Sequence, residues 1–361
     1  MPHLERILVT GGAGFLGHAL VRELLPELRD PDRPLREIRI FDRAPGEPDE
    51  PGVVAIRGDV VDGQALVEAC RGVDAVIHAA SLVDWGHVPP ARLRAVNVAG
   101  TERVLEACRA NGVQALVYTS SMDVVCGGRP VVDVDETFPF PERFLNLYSE
   151  TKAQAEQLVL AANDPGHASA PIRTCALRPA GMYGEGDPYH VPNVVRVVRS
   201  GQLGFRPGNG RARFHHVYVG NVAHAHVLAT KRLLAGDERV SGARYFVVDD
   251  SPLENFFVFM EPILEAVGHP LPPRNRTVPY PLLLVLGTIV EAAAALCRPF
   301  VQWSPALTRS SIRLVCHDHT FDGSRAREEL GYKPVYGNDE SLARTIEWLR
   351  AEIARGAFDA D

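Results

Sequence analysis

The sequence predicts an α/β fold, in which a doubly wound parallel sheet carries helices on both faces and a smaller, mostly helical C-terminal lobe follows. Two observations support this prediction. Short apolar runs rich in Val and Ile alternate with longer segments of helical periodicity in the first half of the 361-residue chain. The first of these runs ends in a glycine-rich segment, "TGGAGFLG", and that segment opens a helical pattern.

The elements follow in a regular order. Six apolar runs are typical of strands buried on both faces, at 6–12, 37–43, 53–60, 74–81, 114–121 and 172–179. Helical periodicity lies between them, at 15–28, 62–70, 92–112 and in a segment beginning near 146. Later in the chain, 221–234 is typical of a helix and 243–250 of a strand. We expect both to return to the first layer.

The pattern predicts a sheet domain, a lobe and a C-terminal helical segment. Residues 1–180, with 214–250 returning to them, form the predicted sheet domain. Residues 181–213 and 251–322 form the lobe, and 323–361 form the C-terminal helices. A chain of this length can bury a large core. We expect the lobe to cover the carboxyl ends of the strands, where α/β proteins bind their ligands.

Composition limits the classes of function. Hydrophobic residues make up 46% of the chain and charged residues 23%, as in ordinary globular proteins. The net charge is -7 and no basic block stands out, so we expect no nucleic-acid partner. The first apolar run has only four residues before a glycine, which is too short for a signal peptide. The expected location is therefore cytoplasmic.

The six cysteines contain no CxxC pair, and several lie in apolar patterns, so we expect reduced, buried thiols. The segment "CHDH" at 316–319 has the composition of a metal site. Successive residues on a strand point to opposite faces, however, and converge poorly on one ion. We therefore predict no metal site.

One segment bears on membranes. Residues 280–297, "YPLLLVLGTIVEAAAALC", are apolar apart from Glu291. Their length is marginal for crossing a bilayer, and a carboxylate in the second half opposes insertion. We expect a helix in the core of the lobe, with peripheral membrane contact as the alternative and membrane spanning as the least favoured interpretation.

The glycine-rich segment is typical of a dinucleotide site in a Rossmann-type fold. Gly11, Gly14 and Gly17 follow a strand and open a helix. Glycines there allow a tight turn and a close approach of the backbone to phosphate, and the helix N-terminus offers free N–H groups to a pyrophosphate. Asp42 ends the second strand, where a carboxylate binds the ribose 2′-hydroxyl and repels a 2′-phosphate. The predicted cofactor is NAD, although the neighbouring Arg43 could accommodate such a phosphate.

Tyr148 and Lys152 lie one helical turn apart in "YSETK". Such a pair is usually an ordinary surface neighbour. Beside a dinucleotide site it has a second interpretation, because oxidation of an alcohol needs a proton acceptor and a nearby ammonium lowers the pKa of a phenol. The segment "YTSS" supplies three hydroxyl groups at the end of the fifth strand that could orient the substrate: Thr119, Ser120 and Ser121.

These blocks resemble the extended short-chain dehydrogenase/reductases. The matching segments run over nearly the whole chain and include "TGGAGFLG", "HAAS" (78–81), "NVAGT" (97–101), "YTSS" (118–121), "YSETK" (148–152) and "LRPAGMYG" (177–184). Later segments resemble the 3β-hydroxysteroid dehydrogenase-like branch, notably "FHHVYVGNVAHAHVLA" (214–229) and "FDGSRAREELGYKP" (321–334). "VLAANDP" (159–165) and "RPAGMYGEGDP" (178–188) are also similar to sterol-4α-carboxylate 3-dehydrogenases (decarboxylating).

The resemblance implies roles for individual residues. Ser121 would be the catalytic serine, Tyr148 the acid/base and Lys152 its partner. The cofactor site would comprise Gly11, Gly14, Phe15, Leu16, Gly17, Asp42, Asp59, Val60, Ala79, Ala80, Asn97, Tyr148, Lys152 and Pro179. The resemblance further implies an apolar helix that associates with membranes at 280–297, and a homodimer formed through the helix 92–112 and the helix of Tyr148.

The prediction of the substrate class rests on the absence of an arginine–aspartate pair that would bind a diphosphate. Relatives that act on nucleotide sugars hold the diphosphate with an arginine followed by an aspartate, and Phe214 and His215 occupy those places here. Arg211 and Arg213 lie close by. We expect a sterol or steroid 3β-hydroxyl as the substrate. The alternatives are reduction of 2-alkyl-3-oxoalkanoic acids, nucleotide-sugar epimerisation or dehydration, and a silent NAD-dependent sensor.

For a sterol, the 3β-hydroxyl would lie between Ser121 and Tyr148 and be oxidised to a ketone. A carboxylate at C4 would then leave as carbon dioxide without a further residue, because the product is a β-keto acid. Isomerisation of a 5,6 double bond would need another base. Asp123 is a candidate, but we expect it to be a solvated aspartate after the strand. His78 is expected to pack beneath the cofactor.

Overall fold

A computed structural model describes residues 4–32, 35–84, 88–166, 171–201, 203–297, 305 and 307–358. Its strands are β1 (Arg6–Thr10), β2 (Glu37–Asp42), β3 (Val53–Arg57), β4 (Ala75–His78), β5 (Ala115–Thr119), β6 (Val131–Val134), β7 (Arg173–Pro179), β8 (Gly181–Tyr183), β9 (Arg206–Pro207), β10 (His216–Tyr218), β11 (Arg244–Val247), β12 (Thr277–Val278) and β13 (His319–Phe321). Residues 1–3, the start of the segment in which we expect no signal peptide, lie outside the described residues.

The helices are α1 (Phe15–Arg29), α2 (Gly63–Ala69), α3 (Pro90–Arg94), α4 (Gly100–Ala110), α5 (Leu147–Ala161), α6 (His190–Arg199), α7 (Val219–Leu234), α8 (Phe256–Ala266), α9 (Tyr280–Cys297), α10 (Arg309–Cys316) and α11 (Asn338–Ala354). A π-helical turn, Ala95–Ala99, joins α3 to α4, so the predicted helix 92–112 is continuous in the structure. A second π-turn covers Ala326–Leu330, and a 3₁₀ turn covers Met122–Val125.

Seven strands form one sheet in the order β11-β7-β5-β4-β1-β2-β3, and every neighbouring pair is parallel. The predicted doubly wound fold is therefore confirmed. Strand order reverses beside β1, and this opens a crevice at the carboxyl ends of β1 and β4. Strand β11 lies at the edge beside β7, so residues far along the chain return to the first layer.

The central strands of the sheet contribute to two cores because their side chains alternate in direction. Ile7 and Val9 of β1 join the core beneath α1 and α7, whereas Leu8 joins the core beneath α2, α4 and α5. This explains why the strand segments read as unbroken apolar runs. Helices α4 and α5 lie side by side on one face. The homodimer expected through these helices stays a prediction.

The remaining elements build a layer over the crevice. They include three separate two-stranded parallel sheets, β10–β8, β12–β9 and β13–β6. The segment before α11 is tied back by Asn221, whose Oδ1 accepts the N–H groups of Val335 and Tyr336 at 2.9 Å each. The C-terminal part is thus largely helical, as predicted.

Helix α9 differs from expectation. Only Leu283 and Gly287 of this helix are buried, and they pack towards α10, where Gly287 lies against Ile312. An apolar stripe faces outwards, with Leu282 59%, Val285 58%, Ile289 60% and Leu296 78% exposed. The prediction of a helix in the core of the lobe is wrong, because α10, the main neighbour of α9 among the described residues, covers only one side of it. Within the described residues, α9 alone is long and apolar enough to cross a membrane.

Candidate active site

The glycine loop forms a cradle at the end of β1. Gly11 adopts a left-handed φ of +70°, and a Cβ on it would lie 2.8 Å from the Ala80 nitrogen. A Cβ on Gly17 would lie 2.2 Å from the Gly11 carbonyl oxygen. Any side chain at either position would therefore push the loop out of shape. The sequence places glycine where backbone must approach backbone.

The cradle fits a pyrophosphate. Helix α1 begins at Phe15 with Gly14 as its N-cap, and Gly14 supplies no side chain to bond the first N–H groups of the helix. Phe15 and Leu16 line the cavity, so their free N–H groups and the positive end of the helix dipole can meet an anion there. NAD would be held in this cradle through its phosphates.

Two aspartates lie at the adenosine end of the cavity. The Asp42 carboxylate accepts the Ala13 N–H at 3.3 Å and the Ala44 N–H at 3.2 Å, which fixes it beside the glycine loop. Asp59 accepts Arg92 Nη2 at 2.6 Å. Burial raises the pKa of Asp59, but the hydrogen bonds from Arg92 and from the Val61 N–H outweigh it, and the net pKa lies below the usual value. Asp59 is therefore a carboxylate at neutral pH.

Helix α5 positions the predicted acid/base. Its N-cap is Asn146, whose Oδ1 accepts the Ser149 N–H at 2.8 Å and fixes the start of the helix. Tyr148 lies in the first turn, half-buried at the cavity. Lys152 lies one turn later, 2% exposed, and its Nζ donates to the Thr119 carbonyl at 2.5 Å. The lysine therefore ties α5 to the end of β5.

The three hydroxyl groups of "YTSS" have different partners. Thr119 Oγ1 lies 2.8 Å from His226 Nε2, and Ser120 Oγ donates to Glu156 at 2.6 Å, so both are engaged in the core. Ser121 Oγ accepts the Asp123 N–H at 3.1 Å and lies near the Tyr148 phenol, whose pKa it lowers. Of the three candidates, Ser121 has the hydroxyl group beside the predicted acid/base.

Burial shifts the pKa of Tyr148 and the pKa of Lys152 in the direction that favours the uncharged form of each side chain. It raises the pKa of Tyr148 well above its usual value, and the negative charge of Asp123 adds to this rise, while Ser121 opposes it. It lowers the pKa of Lys152 to about 7, with the Glu156 carboxylate opposing the shift. Tyr148 is therefore a neutral phenol in the protein alone, and a further positive charge is required to generate its phenolate at neutral pH.

One cavity of about 340 Å³ brings the predicted residues together. It is lined by Ser121, Tyr148 and Lys152 and by nearly all of the predicted cofactor set: Gly11, Gly14, Phe15, Leu16, Gly17, Asp42, Asp59, Val60, Ala79, Ala80 and Pro179. His78 lies beneath it, fully buried between the hydroxyls of Thr10 at 2.7 Å and Thr101 at 3.0 Å. Burial lowers the pKa of His78 to about 3, so it is neutral there.

Asn97 is the exception in the cofactor set. It lies in the π-turn Ala95–Ala99 and is 2% exposed. Its Oδ1 accepts the Leu82 N–H at 2.8 Å, and its Nδ2 donates to the Leu82 carbonyl at 3.0 Å and to Thr151 Oγ1 at 3.1 Å. The side chain thus braces the loop after β4 against α5 and does not line the cavity.

Asp123 is not the solvated aspartate that the sequence suggested. It lines the cavity one residue beyond Met122, and its Oδ1 is shielded from solvent and has no hydrogen-bond partner among the described residues. Burial raises the pKa of this carboxyl, against smaller opposing effects of His190 and Ser121. The correction has a physical cause. The turn Met122–Val125 buries its apolar side chains and carries Asp123 inwards with them.

Other lining residues escaped the sequence reasoning. Asp187, Tyr189 and His190 follow β8 directly, and Leu314 projects from α10. Asp187 caps α6 by accepting the N–H groups of Tyr189 at 2.7 Å and Val191 at 2.9 Å. The position of the segment "GDPYH" could have identified Asp187 as a lining residue. The segment comes after β7, which runs parallel to β5 and ends at the same edge of the sheet. Leu314 has no comparable local signal.

The positions expected for a diphosphate clamp are filled by other groups. Phe214 is 2% exposed and packs against Gly181, and the His215 ring stacks on Phe321. Arg213 Nε lies 3.9 Å from Asp318, and neither Arg211 nor Arg213 lines the cavity. In the part of the chain that is described, the arginines lining the cavity are Arg43 and Arg92, at the adenosine end.

The cysteines and the "CHDH" segment carry no separate site. Cys70, Cys108, Cys126 and Cys175 are buried free thiols, whereas Cys297 is exposed and Cys316 is half-buried. Cys316 ends α10 and His319 begins β13, so the segment spans a turn and not one strand. Across the described ranges, no group of three or more His, Cys, Asp or Glu side chains could hold a metal ion.

Known proteins share this architecture. The chain is 38% identical over 357 residues to a 3 beta-hydroxysteroid dehydrogenase type 7 of Mus musculus, with 95% of each chain covered. It is 32% identical over 362 residues to the sterol-4-alpha-carboxylate 3-dehydrogenase ERG26, decarboxylating, of Candida albicans, covering 97% of this chain and 99% of the relative.

A solved structure of MoeE5 in complex with UDP-glucose and NAD has a TM-score of 0.68 and 25% identity, covering 96% of this chain and 99% of that one. It shares the parallel sheet described above. Residues 8–279 match the model of the 3-beta hydroxysteroid dehydrogenase/isomerase family, which is most of the chain. The chain is therefore an extended short-chain dehydrogenase/reductase and belongs to the 3-beta hydroxysteroid dehydrogenase/isomerase family.

Proposed function

We propose that the protein uses NAD to oxidise the 3β-hydroxyl of a sterol or steroid to the 3-ketone. One observation carries the proposal: a single cavity joins the glycine cradle to Ser121 and Tyr148, and its far end is walled by apolar groups. Those groups include Leu82, Val83, Met182 and Leu314. Aliphatic walls with a few polar anchors suit a sterol ring system. The family membership and the names of the relatives support the same activity.

The reaction then needs three groups of this chain. NAD, when bound, accepts the hydride from the carbinol carbon. The Ser121 hydroxyl orients the substrate oxygen, and its backbone contact with the Asp123 N–H leaves its proton free to donate. Tyr148 takes the proton of the substrate hydroxyl as its phenolate. Lys152, anchored on the Thr119 carbonyl, stabilises that phenolate by its charge.

We assign cofactor binding and substrate binding to the two predicted parts of the chain. Residues 1–180 with 214–250 would hold the cofactor, since the glycine cradle and α5 both lie on the sheet. Residues 181–213 and 251–322 would hold the substrate, because Met182, Tyr189 and Leu314 line the same cavity from the other side.

Substrate tests separate the candidates. Purified protein with NAD is mixed with a 3β-hydroxysteroid, a 4α-carboxysterol, a 2-alkyl-3-hydroxy fatty acid or a UDP-sugar, and absorbance at the nicotinamide band is followed. We expect NAD reduction with the steroid or the sterol, and little with NADP because Asp42 repels a 2′-phosphate. Loss of carbon dioxide from the carboxysterol would add the decarboxylation step. Turnover of the fatty acid or the UDP-sugar alone would overturn the proposal.

A second activity is favoured by Asp123. A Δ5-3-ketone becomes the conjugated Δ4-3-ketone when a base removes a proton from C4 and the proton returns at C6, while a hydrogen bond holds the enolate oxygen. Asp123 has one carboxyl oxygen, Oδ1, without a hydrogen-bond partner in the described residues, and it lies near the Ser121 and Tyr148 hydroxyls that would hold the enolate oxygen. Its raised pKa brings it closer to the range useful for proton transfer.

This second step has its own test. Asp123→Asn should lower the rate of enone formation from androst-5-ene-3,17-dione by about 10²–10⁴-fold, because the base is lost. Oxidation of a 5α-saturated 3β-alcohol, which contains no double bond to move, should fall far less. Enone absorbance measures the first rate and nicotinamide absorbance the second. Equal enone rates for the variant and the parent protein, or no enone from the parent, would exclude Asp123 from this role.

Helix α9 supports peripheral contact with a lipid surface. Its outward stripe places Leu282, Val285, Leu286 and Ile289 on one face at helical spacing. The inner face is held by Glu291, whose carboxylate accepts the Arg309 N–H and Nε at 2.6 Å each, so the helix lies on α10 with its apolar side outwards. A substrate as apolar as a sterol would be drawn from the same lipid phase.

Vesicle flotation tests this contact. The protein should float with phosphatidylcholine vesicles. The double variant Leu282→Ser/Ile289→Ser should lose about tenfold or more in partitioning, since it lacks two aliphatic side chains that would be buried in the lipid. Val54→Ser/Val335→Ser removes two exposed aliphatic groups elsewhere, 40% and 50% exposed, and should bind as the parent does. Absence of flotation by the parent, or equal losses in both double variants, would contradict the assignment.

A further inference from the structure

A buried ion pair lies directly behind the end of β5. Glu156 and Arg178 both have fully buried side chains, with Arg178 Nη2 donating to Glu156 Oε1 at 2.6 Å and Nε donating to Oε2 at 3.0 Å. Ser120 Oγ donates to the same Oε2 at 2.6 Å. The carboxylate thus accepts three hydrogen bonds from two neighbouring strands.

The three residues belong to the elements that carry the reaction. Ser120 immediately precedes Ser121, and its N–H donates to the Leu177 carbonyl at 2.7 Å on β7. Glu156 follows Tyr148 and Lys152 at four-residue intervals, so all three share one face of α5. A shift of this contact by one ångström would move the serine and the tyrosine relative to one another.

Stability alone is a weak reason for such a pair. Burying two charges is costly, and well-packed apolar residues would hold a strand and a helix together as well or better. Arg178 moreover keeps Nη1 without a hydrogen-bond partner among the described residues. Its guanidinium lies 5.5 Å from the Phe140 ring and 5.2 Å from the Phe246 ring, so it is held in one orientation.

We propose that Ser120, Glu156 and Arg178 are positioning residues that lock β5 to α5 in the geometry in which Ser121 meets Tyr148, and that the Glu156 carboxylate is the counter-charge of Lys152. The proposal rests on the proposed function, in which Ser121, Tyr148 and Lys152 act together. None of the three residues needs to touch the substrate. Their effect passes through the backbone of the strand end and through the charge at the next turn of the helix.

Glu156 is the carboxylate one helical turn from Lys152, and it also pairs with Arg178 and lies 4.0 Å from Arg244 Nη1 on β11. On its own helix Lys152 faces Tyr148 and Glu156, and on β5 its Nζ lies 4.3 Å from the centre of the Tyr118 ring. The other titratable neighbours are His78 on β4 and His226 on α7, and burial lowers their pKa values to about 3 and about 4. Both histidines are therefore neutral at pH 7. Glu156 raises the pKa of Lys152 against the effect of burial.

Ser120→Ala tests the positioning role. It deletes one hydroxyl and leaves both Arg178–Glu156 bonds in place. We expect kcat to fall about tenfold, as for a misplaced catalytic group, with the KM for NAD nearly unchanged. The matched control is Thr174→Val, which deletes a buried hydroxyl that ties β7 to the far end of α5 by donating to the Val159 carbonyl at 2.7 Å. That variant should lose similar stability and keep its kcat.

Glu156→Gln tests the counter-charge. The pKa of Lys152, read by NMR of protein with ¹³C-methylated lysines and NAD absent, should fall by about one unit, whereas Ser120→Ala should leave it in place. An unmoved pKa in Glu156→Gln would overturn the counter-charge, and equal kcat values for Ser120→Ala and Thr174→Val would overturn the positioning role. The NMR readout needs no substrate, so failure of the steroid assay is distinguished from failure of this inference. If Glu156→Gln does not fold, the comparison of Ser120→Ala with Thr174→Val still decides the positioning role.

Discussion

Tyr148→Phe should lower kcat for steroid oxidation by about 10³–10⁴-fold, the effect of removing the group that accepts the proton. The phenol is half-buried at the cavity that also holds Ser121. NAD binding should persist, because the glycine cradle and Lys152 are untouched. Unfolding should change little, since a single hydroxyl is removed.

The matched control is Tyr189→Phe. This tyrosine lines the same cavity from the loop before α6 and loses the same hydroxyl group. Its kcat should stay within about threefold of the parent value, because it has no part in the proton transfer. Similar losses in both variants would mean that the cavity responds to any lost hydroxyl and that Tyr148 is not the acid/base.

The pH dependence of the parent enzyme follows from the same group. Burial raises the pKa of Tyr148, so near neutrality the phenolate is the minor form. The rate of oxidation should therefore rise with pH, since deprotonation supplies the base, and reduction of the ketone should show the opposite slope. Tyr148→Phe should lose this dependence in its residual activity.

Lys152→Met should reduce kcat/KM by about 10²-fold or more while raising the thermal midpoint of the protein without cofactor. The charge of Lys152 stabilises the Tyr148 phenolate, so its loss disables the base. Yet Lys152 is 2% exposed, and burial lowers its pKa to about 7. Holding the ammonium there costs folding free energy that a methionine of similar length avoids.

The direction in which folding stability changes with pH separates the removal of a buried charge from a general disruption of the fold. Between about pH 7 and pH 10.5 the unfolded chain keeps a proton on Lys152 that the folded chain releases. Stability of the parent should therefore rise with pH through this window, and this contribution is lost as pH falls through about 7. Lys152→Met should lack the slope and show its largest gain in midpoint near pH 6.

Lys231→Met provides the comparison. Lys231 is half-exposed on α7 and pairs with Glu27 at 2.8 Å. Its replacement should change both activity and midpoint only slightly, as expected for a surface ion pair. A lower midpoint for Lys152→Met than for Lys231→Met would show that the buried ammonium stabilises the fold, contrary to our expectation.

Local pattern was sufficient for the sheet and the cofactor cradle. Strands buried on both faces must be apolar at every position, and residues such as Ile7, Leu8 and Val9 meet that demand before any tertiary contact is known. The positions of Gly11 and Gly17 are equally local, because a tight turn entering a helix tolerates no Cβ there. The order of elements along the chain then determined the parallel topology.

Tertiary structure decided which way individual polar groups point. Ser120 and Ser121 are the same residue type, but the first faces Glu156 and the second faces Tyr148. Neighbouring residues at the end of a strand project to opposite sides. The surroundings of Asn97 and Asp123 also depend on distant segments. Asn97 bonds the loop after β4 and α5, and the buried turn after β5 carries Asp123 inwards.

The exposed face of α9 is the clearest case of a property that no local pattern contains. Its apolar composition is plain in the sequence, but burial depends on how many neighbours reach it. Only the folded chain reveals that α10 covers one side and leaves Leu282 and Ile289 outside. The sequence by itself determined the sheet, the cradle and the Tyr148–Lys152 turn, because these depend on periodicity and short spacing. The packing of distant segments set which hydroxyl and which carboxylate line the cavity and which face of α9 is exposed.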